Sequence, residues 1–186
     1  MPKMTISFRS LSEHDVNYSN VFDLYEKAFS DVQRLPPWVL KYRMRNGKAG
    51  FNIIYENELW IGFIYSVEYM DIMFVQFFAI SELCRSCGYG GKVMDSMREL
   101  HSGKRIVLSI EEIDAKAENY QQRIRRKAFY EKNGFKSSGY IVKEPAQRLE
   151  MLVRGGVITK EEIEKMYKYF MGNILFFLFG PKVIKI

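Results

Sequence analysis

The sequence predicts a single mixed α/β domain spanning residues 1–186, and three observations carry that prediction. A chain of 186 residues has the length of one ordinary domain. Apolar residues make up 47% and aromatic residues 15%, enough for a packed, sheet-rich core. Strand-like and helix-like apolar patterns alternate along the chain. We expect a core at 3–154, followed by a C-terminal helix and tail at 157–186.

Seven strands are predicted from apolar runs separated by polar turns. The run at 72–80 is almost continuously apolar, which is typical of a central strand covered on both faces. The polar stretch 56–58 suits a tight turn between two strands. The predicted strands are 5–9, 51–55, 59–67, 72–80, 105–110, 135–142 and 148–153.

Five helices are predicted from apolar stripes of helical period and from end signals. Ser12 and Asp15 cap the first, Asn46-Gly47 ends the second, and Thr159 with Glu162 forms a capping box on the fifth. The predicted helices are 15–29, 36–45, 91–101, 119–132 and 159–170. The third should bury Val93, Met94, Met97 and Leu100.

A glycine-rich loop joins the strand at 72–80 to the helix that follows it. Gly88, Gly90 and Gly91 let the backbone approach a ligand closely and direct successive N–H groups to one point. The positive end of the helix dipole adds to this field. The loop therefore suits a pyrophosphate.

Two common phosphate-binding motifs do not fit this loop. Ser86 and Val93 stand where a Walker A loop needs glycine and a hydroxyl residue, and Val93 also replaces the last glycine of a dinucleotide fingerprint. The pattern Arg85-x-x-Gly88-x-Gly90 fits without a gap. Here the sequence resembles the GNAT superfamily of acyl-CoA-dependent N-acetyltransferases, whose signature is Gln/Arg-x-x-Gly-x-Gly/Ala.

A second segment strengthens the resemblance. Residues 126–135 are similar to the family's aliphatic-Tyr-x-Lys-x-Gly-Phe segment, in the expected order and spacing. Two positions depart from the family: Glu82 replaces a usual proline, and Arg123 replaces a frequent asparagine. The resemblance covers residues 72–135. It implies a GNAT-like α/β (α+β) fold, with a mixed, mostly antiparallel sheet of about seven strands and helices on both faces.

The resemblance also implies an activity and a cosubstrate. An enzyme of this kind moves the acetyl group of acetyl-CoA to a primary amine by direct attack in a ternary complex; whether the acyl group is acetyl or longer stays open. The end of the fourth strand would hold the pantetheine, and the loop would hold the pyrophosphate. The residues expected to bind acetyl-CoA are Phe78, Ala79, Ile80, Arg85, Ser86, Cys87, Gly88, Tyr89, Gly90 and Gly91.

Proton transfer is the second part of the expected site. Tyr130 is the expected general acid by its family position, although a core tyrosine is the alternative. An alkylamine is mostly protonated at pH 7, so a base must remove a proton. Many relatives have a glutamate six residues before the position of Ile80, where this chain has Phe74. Glu111 and Glu112 are the next candidates, and a chain of water molecules is the other.

The acceptor is not identified by the sequence. Segments 29–38 and 143–147 are expected to shape its site, and the abundant aromatic residues slightly favour a small-molecule amine over a protein. The net charge of +6 favours anionic partners. The basic cluster at 123–127 suits a nucleic acid, the 3′-phosphate of CoA or a solvated helix face. Because no recognised nucleic-acid motif occurs, no nucleic-acid partner is expected.

Location and assembly follow from the ends of the chain. The first nine residues lack a signal-peptide pattern, and the apolar run 174–179 is too short to span a bilayer. We therefore expect a cytoplasmic protein with no membrane partner. The tail at 174–186 is apolar enough to pack on its own sheet or to form a homodimer contact.

Cys84 and Cys87 form a Cys-x-x-Cys pair, but His14 and His101 are distant in sequence, so no metal site is expected. Two rival functions remain. Phe74 in place of a glutamate suggests a non-catalytic acyl-CoA-binding sensor or interaction module, and the charge suggests a basic nucleic-acid-binding protein.

Overall fold

The computed structural model describes residues 6–45 and 49–186. Its strands are β1 Ile6–Ser10, β2 Gly50–Glu56, β3 Leu59–Tyr69, β4 Ile72–Ile80, β5 Arg105–Glu111, β6 Lys136–Lys143, β7 Arg148–Arg154 and β8 Lys182–Lys185. Its helices are α1 Tyr18–Ala28, α2 Pro37–Arg45, α3 Tyr89–Leu100, α4 Tyr120–Lys132, α5 Lys160–Met171 and α6 Asn173–Phe179, and a short 3₁₀ helix covers Glu82–Cys84.

The strands form one sheet in the order β1-β2-β3-β4-β5-β7-β6-β8. Antiparallel pairing joins β1 to β2, β2 to β3, β5 to β7, β7 to β6 and β6 to β8. The predicted fold class, a mixed and mostly antiparallel sheet with helices, is confirmed. The sheet has an eighth strand, β8, that the sequence did not indicate.

The chain divides into two compact units, and β4 contributes to both. Unit 1 comprises Met1–Glu68 and Val75–Ser102, and so contains β1 to β3, the end of β4 and α1 to α3. Unit 2 comprises Tyr69–Phe74 and Gly103–Ile186, and contains the start of β4, β5 to β8 and α4 to α6. The predicted single domain at 1–186 stays a prediction.

Aromatic side chains fill the core of unit 1. The ring of Tyr25 on α1 lies 4.9 Å from that of Phe77 on β4, and Phe51 on β2 lies 5.1 Å from Phe63 on β3. The Tyr25 hydroxyl donates to the Leu35 carbonyl (3.0 Å) and accepts from the Leu35 N–H (2.7 Å). Tyr25 thereby anchors the connection between α1 and α2 to the core.

A glycine allows β3 to approach the end of β4. A Cβ atom on Gly62 would lie 2.2 Å from the Ala79 carbonyl oxygen, so any side chain there would push the strands apart. Ser81, just beyond β4, donates its N–H to the Ile61 carbonyl (2.9 Å). These contacts fix the path of the chain as it enters the glycine-rich loop.

Helix α5 covers the core of unit 2. The predicted capping box is confirmed: the Glu162 N–H donates to Thr159 Oγ1 (3.2 Å), and the Glu162 carboxylate accepts from the Thr159 N–H (2.8 Å). Phe74 is fully buried, with the ring of Tyr167 5.4 Å away and that of Phe170 at 6.1 Å.

Two local predictions are wrong. Helix α1 begins at Tyr18 because Asp15 forms a turn of its own, accepting from the Tyr18 N–H through its carbonyl and from the Asn17 N–H through its carboxylate. Leu100 is exposed, since α3 ends there. The predicted features at Thr5 and 46–47 lie outside the described residues.

The C-terminal segment has more structure than the sequence indicated. The apolar run 174–179 lies in α6, and β8 pairs with β6, burying Val183. Across the described part of the chain, no helix combines the length and the apolar character needed to cross a membrane.

Candidate functional site

The end of β4 presents one face to the surroundings. Phe78 and Ile80 are half-buried, whereas Ala79 between them is buried, as strand alternation requires. Gln76 lies on the face of Phe78 and Ile80. Its buried Oε1 has no hydrogen-bond partner within residues 6–45 and 49–186, so this face carries one unsatisfied polar atom that sequence reasoning missed.

The loop after β4 folds back on the strand before it enters α3. The Arg85 Nε donates to the Ile80 carbonyl (3.1 Å), and its guanidinium lies 3.9 Å from the Glu82 carboxylate. Ser86 (φ 62°) and Gly88 (φ 80°) both adopt left-handed backbone conformations. Only glycine adopts that conformation at little cost, which accounts for Gly88.

Helix α3 begins at Tyr89, two residues earlier than predicted, with Gly88 as its N-cap. The first hydrogen bond of the helix runs from the Lys92 N–H to the Gly88 carbonyl (3.3 Å). The N–H groups of Tyr89, Gly90 and Gly91 precede it in the chain and have no partner within the helix. No side chain from the described residues caps this end. An uncapped N-terminus of a twelve-residue helix is suited to an anion.

A buried carboxylate accepts hydrogen bonds from two side chains in the first turn of α3. Glu56, at the end of β2, accepts from the Lys92 ammonium (2.7 Å) and from the Tyr89 hydroxyl. These hydrogen bonds, the one from Lys92 first, lower the pKa of Glu56, and the bond to Glu56 raises the pKa of Tyr89 to about 12. Glu56 is therefore ionised and positions Tyr89 and Lys92, a role that no motif in the sequence indicated.

The two cysteines of the loop differ in exposure. Cys84 is buried, with its Sγ 3.9 Å from the Trp60 carbonyl oxygen, and burial raises the pKa of its thiol; Cys87 is exposed. Within the residues that the structure describes, no group of three or more histidine, cysteine, aspartate or glutamate side chains is arranged to hold a metal ion.

Tyr130, in the last turn of α4 of unit 2, is buried. Its ring lies 5.1 Å from Phe129 and 5.5 Å from Phe135. Burial raises the pKa of Tyr130 to about 12, and Arg126 opposes that shift. The phenol stays protonated at neutral pH, so it can donate a proton but cannot serve as a base.

Glu111 lies at the end of β5 among three donors. It accepts from Asn119 Nδ2 (3.1 Å) and Arg126 (2.6 Å), and it lies 3.3 Å from the Arg123 guanidinium. Arg123 also donates to the Glu112 carbonyl (2.7 Å). The pairing ties α4 to the end of β5, which is a structural task for Glu111.

Glu112 is paired as well. Its carboxylate accepts from Arg148 on β7 through two nitrogens, one at 3.2 Å, and this hydrogen bonding lowers the pKa of Glu112. The predicted basic cluster is likewise used internally, because Lys127 binds both oxygens of Glu150 (2.8 and 3.0 Å). Arg123, Arg126 and Lys127 thus face carboxylates of their own unit.

Glu144, in the turn between β6 and β7, has different surroundings. It accepts from Gln147 Nε2 (2.7 Å), and no cation pairs with it in the part of the chain described. Burial raises the pKa of Glu144. The Tyr167 hydroxyl lies nearby; burial raises its pKa, the charge of Glu144 adds to that shift, and a hydrogen bond with the Ser109 side chain opposes it. A partly buried carboxylate held by one neutral donor is a candidate proton acceptor.

The predicted site residues fall into two sets. The strand end and loop, 78–80 and 85–91, belong to unit 1, whereas Tyr130, Glu111 and Glu112 belong to unit 2. Within unit 1 the structure groups the loop with α3 as expected. The roles of both sets stay predictions.

Comparison with solved structures identifies the fold. An acetyltransferase assigned to the GNAT family from Bacteroides thetaiotaomicron is 23% identical, covers 95% of this chain and 99% of its own, and has a TM-score of 0.74. A spermidine N-acetyltransferase chimera from Vibrio cholerae and hSSAT is 13% identical (80% and 94% covered, TM-score 0.58). An aminoglycoside 6′-N-acetyltransferase complexed with coenzyme A is 14% identical (81% and 96% covered, TM-score 0.56).

No protein-family model matches the sequence, and a comparison with curated protein sequences finds no match. The resemblance inferred from residues 72–135 therefore agrees with the structural neighbours at the level of the fold. The chain has the fold of the GNAT-family acetyltransferases.

Proposed function

We propose that this chain, built on the GNAT fold, is an N-acetyltransferase that uses acetyl-CoA and a primary amine. The observation that carries the proposal is the uncapped N-terminus of α3, which follows β4 directly and begins at a left-handed Gly88. An anion is expected there, and the pyrophosphate of CoA is an anion that a neighbour of the same fold binds as coenzyme A.

Unit 1 supplies the groups for acetyl-CoA. The N–H groups at the start of α3 suit the pyrophosphate, and the half-exposed face of Phe78 and Ile80 suits the pantetheine arm. The Gln76 Oε1 lies beneath that face without a hydrogen-bond partner in the described part of the chain, and its side chain would have to turn outward to accept from a pantetheine amide. Arg85 is folded onto Ile80 and would have to turn to reach a phosphate.

The proposed reaction is a direct transfer. The amine nitrogen attacks the thioester carbonyl carbon, the C–S bond breaks, and the sulfur leaves as a thiolate that takes the Tyr130 proton. The extra proton on the amide nitrogen returns to the Tyr130 oxygen, directly or through water, which gives the neutral amide and restores the phenol. The ammonium form of the acceptor first loses a proton to a base, because a protonated amine has no lone pair. Tyr130 is the acid that we propose because of its place in the segment 126–135, and its pKa of about 12 means that the phenol carries its proton at neutral pH; burial also makes it a weaker acid than an exposed tyrosine.

Glu144 is the base that we propose. Glu111 and Glu112, the candidates from sequence, are engaged by arginines, and the lowered pKa of Glu112 makes it a weaker base. The pKa of Glu144 moves in the opposite direction, toward the range in which a carboxylate takes up a proton. A carboxylate without a cation partner also favours a cationic acceptor.

The acceptor that we propose is a small primary amine. Trp38 and Tyr42, one turn apart on α2, expose their rings, and exposed aromatic faces attract ammonium groups. The neighbours of the same fold include enzymes named for spermidine and aminoglycosides, which are amines of this class. A cytoplasmic location is part of this proposal.

Thermal unfolding with acetyl-CoA is the first test. Acetyl-CoA at about 100 times its dissociation constant adds ~2.7 kcal/mol, which raises the Tm by about 5–10 °C, whereas ATP and NAD should not. Gly88→Val should abolish the rise. Gly103→Val is the matched control, because Gly103 is also left-handed and a Cβ added there would meet open space, yet it lies outside the loop. No rise with the folded chain, or an equal rise in both variants, would overturn the cofactor assignment.

The second candidate is a non-catalytic acyl-CoA-binding module. The observation that favours it is Phe74, buried against Tyr167 and Phe170 where relatives have a glutamate. Release of free thiol from acetyl-CoA, followed with spermidine, kanamycin and phenethylamine, separates the two functions. Binding of acetyl-CoA without thiol release from any of the three would support the module.

A further inference from the structure

Helix α6 carries a surface that the proposed function does not use. Five of its seven residues expose large apolar side chains, with Phe177 87% and Ile174 78% exposed. The five are Ile174, Leu175, Phe177, Leu178 and Phe179. Only Phe176 turns inward, where it packs beside the core of unit 2.

The exposed area has the size of an interface. Side chains of these types at these exposures leave roughly 600–700 Å² of apolar surface in water, close to the ~800 Å² that each partner gives to a standard protein interface. Contiguous apolar patches of that size are rare on monomeric proteins. The surface therefore requires a cover.

The residue pattern of α6 indicates that the partner covering this surface is a protein and not a membrane. A helix that binds a membrane surface has a charged face opposite its apolar one, but residues 173–181 include no charged side chain. The exposed apolar side chains span about 200° of the helix circumference, and Phe176 adds an apolar side chain on the inward side. A helix that is apolar all round is buried in protein or spans a bilayer, and seven residues cannot span one.

A second copy of this chain fits the surface best. An uncharged apolar patch meets its own copy about a twofold axis without leaving any charge unpaired, and homodimer interfaces are the more apolar class. Lys168, Lys182 and Lys185 flank the patch, where an interface keeps a polar, solvated rim. A groove of about 690 Å³ beside β8 is lined on one side by Phe176, Pro181 and Val183 and on the other by charged side chains of α5, so it belongs to the polar rim of the surface and not to its apolar centre.

We propose that the protein is a homodimer in which α6 of each copy packs against α6 of the other. Lys182 and Lys185 lie on the edge strand β8, and lysines on an edge strand disfavour the addition of a further strand. The contact is therefore between side chains of α6, with Phe177 at its centre.

Analytical ultracentrifugation of the full chain tests the dimer. A standard interface is populated at micromolar concentration, so the wild-type chain should sediment as a dimer below about 100 µM. Phe177→Glu and, separately, Ile174→Glu should each raise the dimer dissociation constant at least ~100-fold, since a buried aromatic or aliphatic anchor is replaced by a charge. Val16→Glu is the matched control: Val16 is 88% exposed in unit 1 and should leave the dimer unchanged.

Three outcomes would overturn the proposal. They are a monomer at every concentration, a dimer that survives both α6 variants while circular dichroism shows them folded, and a monomer that binds phosphatidylserine vesicles through Phe177. Acetyl-CoA stabilisation is measured on the same proteins. A dimer that acetyl-CoA does not stabilise would contradict the proposed function but not the dimer. A monomer that acetyl-CoA stabilises would contradict the dimer but not the proposed function.

Discussion

Glu111 and Glu144 are both partly buried carboxylates of unit 2, but their surroundings are opposite. Glu111 has two arginines and an amide around it, whereas Glu144 has one amide donor and a buried phenol nearby. A carboxylate that accepts from two arginines is engaged in holding the fold, because removing it would leave those cations without a partner. One held by a neutral donor is free to exchange a proton with a ligand. The number of cations around each group thus separates a structural role from a chemical one.

Replacing Glu144 should have the largest effect. We expect Glu144→Gln to lower kcat/KM about 1,000-fold at pH 7 with an amine that the chain accepts, because a general base contributes ~10²–10⁴-fold. The same variant should be more stable than the wild type at pH 7. Because the pKa of Glu144 is raised in the folded state, its carboxyl stabilises the fold below the unfolded pKa near 4.3. That stabilisation is lost as the pH rises through the folded-state pKa.

Two measurements test Glu144→Gln: thiol release gives kcat/KM, and urea denaturation gives the free energy of unfolding. Glu112→Gln is the control, since it removes an equivalent carboxylate that is paired with Arg148 and should change kcat/KM little. Unchanged turnover in Glu144→Gln would assign proton removal to water. A loss of stability at pH 7 would make Glu144 a structural residue like Glu111.

These two glutamates show what the sequence could and could not predict. The glycine loop was predictable because its chemistry is local: Arg85, Gly88 and Gly90 act through neighbours in the chain. The strand β4 and the capping box of α5 were predictable for the same reason. The pKa of Glu144 depends on burial by residues distant in sequence, so nothing in segment 143–147 revealed it.

The C-terminal segment failed for a related reason. The run 174–179 carries neither a polar face nor a capping side chain, so its pattern did not distinguish a helix from a tail. β8 exists because Val183 packs into the core of unit 2 beside Val142, a contact between distant parts of the chain. The four residues of β8 alone do not predict strand pairing that depends on a contact so distant in sequence.

Replacing Tyr130, the proposed general acid, should have the next largest effect on turnover after Glu144. We expect Tyr130→Phe to lower kcat ~100-fold with little change in acetyl-CoA affinity, because the proton donor to the thiolate is removed. The acidic limb of the pH profile, assigned to Glu144, should stay where it is. Isothermal titration and thiol release between pH 5 and about 9 measure both quantities. Phe129→Leu, which also alters the aromatic contact, is the control; an equal loss of kcat there would make Tyr130 a packing residue.

Glu111 should matter to stability more than to chemistry. We expect Glu111→Gln to lower the free energy of unfolding by about 2 kcal/mol, since Arg123 and Arg126 lose the charge that they face. Urea denaturation at pH 7 measures the change. Arg125→Gln on the exposed face of the same helix is the control and should be near neutral. A fully stable Glu111→Gln with a large loss of turnover would reverse the roles assigned to Glu111 and Glu144.

Glu162 offers the smallest effect and the opposite pH dependence to Glu144. Arg105 donates to it at 2.7 Å, and this hydrogen bond, with those from Thr159, lowers its pKa to about 2. A lowered folded-state pKa stabilises the protein above the unfolded value near 4.3, and that stabilisation is lost as the pH falls through about 2. Because the Glu162 side chain is 34% exposed, solvent screening reduces the contribution to about 1 kcal/mol. Glu162→Gln should therefore be less stable than the wild type at pH 7, with the difference shrinking toward pH 2, while Glu144→Gln gains stability at pH 7. If urea denaturation across this range gave both variants the same sign, pairing with cations would not be what separates the two carboxylates.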